Sequence, residues 1–319
     1  MKYRIVVCYV SLWAAALTGC SNAQGEGDAL TAEDLGGLDP ETVRAEAIQK
    51  FGVLPDVQAN SKRPLTDAKT TLGRQLFYEK RLSKNQDLAC NTCHDLNAYG
   101  VDRRSGSVKT SLGHRGQLGT RNAPTVYNAA RHVAQFWDGR AVDVEEQAKG
   151  PILNPVEMAL PNAAAVVSML KSIPGYMPLF QAAFPGVKDP ITYDNVGIAI
   201  GAFERKLVTQ DRFDDYLSGD KDVLSPDEVR GLYVFLNSGC PACHTGPGVG
   251  GELYRKMGDV KVYPSNGDTG RFEVTKKEMD RNVFKVPSLR NIDRTGPYFH
   301  DGSQSTLTAA IRTMSEYQT

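Results

Sequence analysis

Cys90-Asn-Thr-Cys93-His94 and Cys240-Pro-Ala-Cys243-His244 are two copies of one Cys-x-x-Cys-His pattern. A short turn of this kind brings two thiols and an imidazole together, which is the arrangement that attaches a c-type haem. The thiols form thioethers with the porphyrin, and the histidine becomes an axial ligand of the iron. Zinc ligation and a thioredoxin-like dithiol are the alternatives, but neither requires a histidine directly after the second cysteine in both copies. The sequence therefore predicts two c-type haems.

Length and charge narrow the class of protein further. The chain has 319 residues, enough for two modest domains, and a formal net charge of zero, which argues against nucleic acid as a partner. Of its six cysteines, Cys8 and Cys20 precede the body of the chain, and the two motifs contain the other four. No cysteine is left for a structural disulfide.

The N-terminus has the features of an export signal over residues 1–19. Lys2 and Arg4 precede an apolar run, and the run ends in Leu17-Thr18-Gly19-Cys20, which resembles the bacterial lipoprotein cleavage box. That resemblance implies lipidation of Cys20 and a periplasmic protein whose only membrane contact is the lipid anchor. An ordinary secretory signal with an incidental Cys20 is the alternative. No other apolar run is long enough to span a membrane.

The next segment, residues 20–50, is predicted to be an acidic tether. Six acidic residues and no basic one occur between positions 21 and 43, so this part has little apolar surface to bury. Asp39-Pro40 is expected to begin a short helix that continues to about Phe51 and ends at Gly52. Residues 51–215 are predicted to form a first haem domain, and residues 216–319 a second.

Helical periodicity dominates both predicted domains. Val196, Ile200, Phe203 and Leu207 are spaced as one buried stripe of a helix, and Ser225-Pro226-Asp227-Glu228 is a capping box. Strand-like alternation is scarce. The sequence predicts a mainly α fold with two cytochrome c-like domains, each carrying one covalently attached haem. A Gly followed by Phe four residues later precedes each motif (Gly73/Phe77 and Gly231/Phe235), which indicates a weak internal duplication.

Three further stretches stand out around the two motifs. They are Gly113-His114 through Arg121-Asn122-Ala-Pro-Thr125, Phe136-Trp137-Asp138-Gly139-Arg140 through Glu157-Met158, and Lys285-Val-Pro-Ser-Leu-Arg-Asn291 through His300-Asp-Gly302. In this order, they closely resemble the bacterial dihaem cytochrome c peroxidases of the MauG-related superfamily. The resemblance covers about residues 51 to 319.

The resemblance implies that the haem of Cys90, Cys93 and His94 is the low-potential, peroxidatic one. His114 would be its second axial ligand in the resting oxidised state. A histidine on a glycine-rich loop can move away and open a coordination site, which a helical histidine could not easily do. Glu157 matches the acid–base glutamate that moves a proton between the peroxide oxygens. Without the resemblance, His114 would simply be a loop residue facing solvent, and Glu157 a surface carboxylate.

The haem of Cys240, Cys243 and His244 would be the high-potential one. Met314 falls fourteen residues after His300, at the position of the family's distal methionine. A thioether ligand raises the potential relative to a second histidine. The family usually continues beyond this methionine with a final helix, whereas the sequence ends five residues later at Thr319.

The remaining matches are secondary. Gln147 resembles a second pocket residue that holds substrate or water, and Trp137 matches an electron relay between the haems, although ordinary packing is compatible with it. The resemblance implies an interdomain calcium ion, His300 at the haem propionates or the interface, and His132 in a structural role. The implied calcium ligands are Asn122, Thr295 and Pro297.

The implied activity is that of a cytochrome c peroxidase, an oxidoreductase that reduces hydrogen peroxide to water. Electrons would come from a monohaem cytochrome c or a cupredoxin, and the enzyme would be a homodimer. Two alternatives remain. A MauG-type enzyme would oxidise a partner protein, but that type carries tyrosine where this chain has Met314. A dihaem electron carrier would need neither His114 nor Glu157.

Overall fold

The structure is a computed structural model that describes residues 37–104, 109–264 and 267–318. It is mainly helical, as predicted. The α-helices are α1 Pro40–Lys50, α2 Asp67–Phe77, α3 Cys90–Cys93, α4 Val144–Leu153, α5 Ala163–Lys171, α6 Tyr176–Ala183, α7 Tyr193–Glu204, α8 Arg212–Ser218, α9 Pro226–Asn237, α10 Phe272–Thr275 and α11 Leu307–Tyr317. Short 3₁₀ turns lie at Lys80–Leu82, Leu96–Ala98, His114–Gly116, Ala129–Arg131, Cys240–Ala242, Glu278–Asp280 and Ile292–Arg294.

A first hydrophobic core is built by α2, α4, α5, α6 and α7. The predicted stripe faces this core, with Val196 and Ile200 fully buried, but α7 ends at Glu204, so Leu207 follows the helix and reaches the core from outside it. Helices α2 and α7 approach so closely at Gly73 that a Cβ there would come within 1.8 Å of the Ala199 carbonyl oxygen. Only glycine allows this contact, so Gly73 sets the distance between the two helices that support the first motif.

A second core joins α1, α8 and α9. Asp39 caps α1 through the backbone N–H groups of Glu41 and Thr42, and Pro40 is its first residue, as the sequence predicted. Val43 and Ala47 of α1 are buried in this core. The tether prediction therefore does not hold for residues 40–50, because α1 has an apolar face that packs against residues far along the chain.

Helix α8 contains the boundary predicted between residues 215 and 216. Tyr216 and Leu217 are buried in the second core and Phe213 packs against it, so α8 belongs with that core as a unit. The capping box of α9 is confirmed, since Ser225 Oγ accepts from the Glu228 N–H and the Glu228 carboxylate accepts from the Ser225 N–H.

The described strands form one small antiparallel pair. Strand β1 (Tyr254–Lys256) pairs with β2 (Val283–Lys285), and Tyr254 lies opposite Lys285. A third apolar cluster, around Tyr298, Phe299 and α11, lies beyond it. Among the described helices, none alone is long and apolar enough to cross a membrane; only α5 and α6 taken together pass on length and composition, with a bend of 110° between them.

Candidate functional site: two Cys-x-x-Cys-His centres

The first motif forms the single turn of α3. The Ala89 N–H donates to Thr92 Oγ1 at 2.8 Å, and the His94 N–H donates to the Cys90 carbonyl at 3.0 Å. His94 Nδ1 lies 3.3 Å from the Gly100 carbonyl oxygen. Burial lowers the pKa of His94, and the contact with Gly100 opposes that shift. A neutral ring held at Nδ1 leaves Nε2 as the free nitrogen, which is how proteins orient a metal-binding histidine.

The thiols of this motif lie in a partly charged environment. An Arg104 guanidinium nitrogen lies 3.3 Å from Cys93 Sγ, and the same side chain pairs with Asp102. Burial raises the pKa of Cys93 to about 11. Burial also raises the pKa of Cys90, and the nearby Glu204 carboxyl adds to that shift.

The second motif holds its histidine in the same way as the first, with a different backbone conformation. A 3₁₀ turn carries Cys240, and the His244 N–H donates to its carbonyl at 2.9 Å. His244 Nδ1 lies 3.4 Å from the Val249 carbonyl oxygen. Gly250 is held against this ring, because a Cβ there would come within 3.2 Å of His244 Nδ1 and 2.2 Å of the Pro287 carbonyl.

Both centres fit a covalently attached haem. All four motif cysteines are free thiols, so each pair is available for thioether formation. In each copy the histidine Nδ1 faces a backbone carbonyl, which leaves Nε2 for iron. His114 also fits a haem at the first centre. It is buried at 6% exposure, and its Nδ1 has no hydrogen-bond partner among the described residues, an arrangement that burial makes costly.

The segments that contain His114 and Glu157 are joined by backbone hydrogen bonds. The His114 N–H donates to the carbonyls of Val156 (3.0 Å) and Glu157 (2.8 Å). A Cβ at Gly113 would come within 2.1 Å of the Val156 carbonyl oxygen, so the glycine permits this contact. The structure thus joins the loop of His114 to the segment of Glu157.

The Glu157 side chain lines a cavity of about 530 Å³. Asn154 Nδ2 donates to its Oε1 at 2.9 Å, and Arg140 lines the same cavity. Burial raises the pKa of Glu157, while Arg140 and Asn154 oppose the rise. The α4 carboxylate at the cavity wall is Glu146; Gln147 is on α4 but is not among the lining residues. His114 lines a second cavity, of about 510 Å³, whose lining residues do not include Glu157.

Trp137 and Asn122 are hydrogen-bonded to each other, since Trp137 Nε1 donates to the Asn122 carbonyl at 2.8 Å. Nδ2 of the Asn122 side chain donates to the Pro297 carbonyl oxygen at 2.6 Å. Thr295 is two residues before Pro297, and its hydroxyl contacts the Ile292 carbonyl at 3.5 Å. The structure therefore brings two of the three predicted calcium ligands into contact.

The remaining predicted residues lie in the C-terminal part. His300 is buried, stacks on Phe284 with ring centroids 4.0 Å apart, and meets the Trp137 ring edge-on at 6.4 Å. Met314, on α11, packs against the third apolar cluster. Cys20 lies outside the described residues.

Three charged residues near these centres were not given a role from the sequence. Arg140 was part of a quoted stretch, and its guanidinium stacks 3.4 Å from the Phe136 ring centroid. Lys285 began another quoted stretch and is buried, with its Nζ 3.0 Å from Nδ1 of His132. Glu204, at the end of α7, is buried beside the first motif. Burial of a charged residue depends on distant elements, so no local pattern identifies it.

A helical chain with two Cys-x-x-Cys-His centres is typical of proteins that carry two c-type haems. The family model for di-haem cytochrome c peroxidase matches residues 67–222. The chain is 49% identical over 249 residues to a cytochrome c551 peroxidase of Nitrosomonas europaea, covering 77% of this chain and 72% of that protein. It is 46% identical to the cytochrome c551 peroxidase of Pseudomonas aeruginosa, covering 80% and 74%.

A solved structure of a MauG-like protein associated with microbial copper homeostasis has a TM-score of 0.72 with this chain. The two are 32% identical, and the match covers 82% of this chain and 79% of that one. The chain belongs to the di-haem cytochrome c peroxidase family.

Proposed function

We propose that this protein reduces hydrogen peroxide to two waters, using two c-type haems in two cytochrome c-like domains and electrons from a small exported redox protein. The observation that carries the proposal is the pair of hydrogen bonds from the His114 N–H to Val156 and Glu157. They link a loop histidine to the segment that bears a half-buried carboxyl group, next to a Cys-x-x-Cys-His motif. The identity to two cytochrome c551 peroxidases supports the same reading.

The cysteine pairs would hold the haems through thioethers, and His94 and His244 would each supply one nitrogen to an iron. Met314 would supply its thioether sulfur to the iron of the haem at His244. When bound, haem iron supplies redox chemistry that no side chain provides.

Glu157 would carry the proton in the reaction. Reduction of one peroxide consumes two electrons and two protons and releases two waters. Cleavage of the O–O bond is faster when a carboxylate takes a proton from one oxygen and returns it to the other. Asn154 orients Glu157 at 2.9 Å, and the positive charge of Arg140 favours its ionised, proton-accepting form. Gln147 would act at a greater distance, by holding water or substrate.

His114 would control access to the first centre. Its loop contains Arg115 at φ +56° and Gly116 at φ +71°, and a bridge between Leu112 and Leu118 closes the loop at its base. For His114 to leave the first centre, this closed loop would have to move as a unit. Because its N–H is bonded to the Glu157 segment, a displacement of His114 would also change the position of Glu157.

A calcium ion would join the two haem domains at Asn122, Thr295 and Pro297. The orientation of an asparagine amide is assigned from its hydrogen bonds, and rotating the Asn122 amide would bring Oδ1 next to the Pro297 carbonyl. Two hard oxygens in contact are the ligand type that calcium prefers. The contact between Asn122 and Trp137 would couple this ion to the region between the haems.

Three further features of the proposal follow from the family and the leader. The electron donor would be a monohaem cytochrome c or a cupredoxin, and the enzyme would act as a homodimer. Lipidation of Cys20 would anchor it in the periplasm. Membrane fractionation of the wild type and Cys20→Ala tests the anchor; equal solubility of the two would exclude it.

The proposed activity is tested by peroxide turnover of the purified holoprotein, measured with and without prior reduction. Glu157→Gln should leave both haem spectra unchanged and lower turnover by roughly 10²- to 10⁴-fold, because the proton relay is lost. Glu278→Gln, an exposed carboxylate paired with Arg281, is the matched control. Wild-type turnover in the Glu157 variant would remove Glu157 from the mechanism, and no turnover in either redox state would favour an electron carrier.

A MauG-type oxidation of a partner protein is the second candidate, favoured by the similarity to the MauG-like structure. Rapid peroxide consumption with a reduced monohaem cytochrome c would support the peroxidase. Slow consumption with that donor, together with covalent oxidation of a protein partner, would support the MauG-type reaction.

A further inference from the structure

Lys285, at the end of β2, is a buried cation. Only 5% of the residue is exposed, and its Nζ lies 3.0 Å from His132 Nδ1. No carboxylate of the described residues forms an ion pair with it, and burial alone lowers its pKa to about 8. A buried ammonium group is costly unless an anion or several acceptors compensate it.

The neighbours of Lys285 offer more donors instead of acceptors. An ammonium group can only donate, so Nδ1 of His132 accepts, and the imidazole proton is on Nε2. That Nε2 is buried and has no partner among the described residues, and the same is true of Arg131 Nε. Another nitrogen of the Arg131 guanidinium pairs with the exposed Glu252 carboxylate at 3.2 Å. Lys285, His132 and Arg131 therefore form a cluster with two unused donors, His132 Nε2 and Arg131 Nε, which we call the donor cluster.

The donor cluster lies beside the second Cys-x-x-Cys-His centre. A Cβ at Gly251 would come within 2.2 Å of His132 Cδ2, and a Cβ at the preceding Gly250 would come within 3.2 Å of His244 Nδ1. His132 and His244 thus contact successive residues of one loop. The Lys285 N–H also donates to the Trp137 carbonyl at 2.8 Å.

We propose that the donor cluster binds a carboxylate next to the second centre, and that Lys285 raises the potential of the haem attached there. This inference rests on the proposed function, because it needs a haem at Cys240 and Cys243. The carboxylate would be a propionate of that haem or a free carboxylate from solution. Both have the same chemistry: an anion that accepts hydrogen bonds from the Lys285 ammonium group and from His132 Nε2.

The physical reason is electrostatic. Reduction adds one electron to the haem, and a buried positive charge nearby favours the reduced state. Water and salt screen a buried charge much less than an exposed one. Lys285 is therefore a positioning residue for the carboxylate and a determinant of the potential, and it takes no part in the chemistry of peroxide.

A redox titration of the holoprotein, followed by the visible spectra of both haems, tests the inference. In Lys285→Met, the ratio of reduced to oxidised second haem at a fixed potential should fall about tenfold, which corresponds to 59 mV for a one-electron couple. The first haem should not change. Lys256→Met is the matched control, because it removes the same charge from an exposed position in the same strand pair. Lys285→Arg keeps the charge and should shift the ratio much less.

The source of the carboxylate is read from titrations at increasing acetate concentration. If the potential of the second haem in the wild type does not depend on acetate, the carboxylate is the propionate. If that potential changes with acetate only in proteins that contain Lys285, the carboxylate is a free one from solution. If Lys285→Met titrates like Lys256→Met, the inference is wrong. The proposed function has its own readout, because two covalent haems and peroxide turnover can be measured in the same samples whatever the potentials do.

Discussion

The two Cys-x-x-Cys-His centres share a local design and differ in what surrounds it. In both, the histidine Nδ1 faces a loop carbonyl, Gly100 in one and Val249 in the other. The first centre has buried or half-buried acids near it, Glu204 and Glu157, and a loop histidine, His114. The second has the donor cluster, and the acid beside it, Glu252, is exposed and pairs with Arg131.

In the proposed function, this difference corresponds to two roles. Acids whose pKa burial raises suit proton transfer to a substrate. Buried cations suit a centre that stores an electron, because they favour the reduced state. The same five-residue pattern would thus take its properties from side chains that lie elsewhere in the chain.

Each region also contains a buried arginine–carboxylate pair among the described residues. Arg205 pairs with Glu145 at 2.8 Å in the first, and Arg290 pairs with Asp214 at 2.6 Å in the second. Removing one partner leaves a buried charge unpaired, so Glu145→Gln and Asp214→Asn should each lower the free energy of unfolding by about 3–5 kcal/mol.

Urea unfolding of the holoprotein, followed separately at each haem, measures these losses. The exposed pair of Asp67 with Lys206 is the control, and Asp67→Asn should cost less than about 1 kcal/mol. If either buried variant loses no more free energy of unfolding than Asp67→Asn, the buried pair in that region does not stabilise its core.

Glu204 distinguishes the first region by its response to pH. Burial raises its pKa to about 8 from 4.5, with Glu145 adding to the rise and Arg205 opposing it. The unfolded chain therefore releases this proton first, and stability should fall as the pH rises from about 4.5 to 8. Glu204→Gln cannot ionise and should show a flatter profile.

The expected difference between the two profiles is a few kcal/mol at most, since one pKa unit corresponds to about 1.4 kcal/mol. Urea midpoints between pH 4.5 and 9 measure it. Parallel profiles for the wild type and the glutamine variant would mean that Glu204 is already ionised in the folded protein.

Met314 tests the assignment of the two potentials. Loss of the thioether in Met314→Ala should lower the potential of the second haem by on the order of 0.1 V and leave the first unchanged, because axial ligands set haem potentials. Met279→Ala is the control, since Met279 is 81% exposed. A titration in which both potentials stay unchanged would show that Met314 is not the ligand.

A pair of glycines tests the apparent duplication. Gly73→Ala should cost about 1–3 kcal/mol, because its Cβ would overlap the Ala199 carbonyl at 1.8 Å. A Cβ at Gly231, the glycine compared with Gly73 in the predicted duplication, would meet no atom within 4 Å outside its own helix, so Gly231→Ala should be neutral or stabilise α9 by up to about 1 kcal/mol. Thermal unfolding of the two variants measures these changes. Equal changes in stability would contradict the expectation.

Local patterns predicted much of this protein. The two motifs, the buried stripe on α7 and the capping box at Ser225 and Glu228 depend on residues within one or two helical turns, so their spacing alone identified them. The start of α1 at Asp39-Pro40 was predicted for the same reason. The roles of His114 and Glu157 came instead from a family resemblance, because nothing local connects a loop histidine to a carboxyl group 43 residues later.

Tertiary structure decided where these elements go. Residues 40–50 were assigned to the tether because residues 21–43 are acidic, yet Val43 and Ala47 of α1 are buried against α8 and α9. From the sequence alone, Lys285 would be taken for a surface residue. In the structure it is enclosed with His132 by β2 and the loop at Gly251. Burial is a property of long-range packing, and it sets the charge and proton affinity of a side chain. The sequence alone therefore determined that there are two centres of one kind, and only the packing around them made the two centres different.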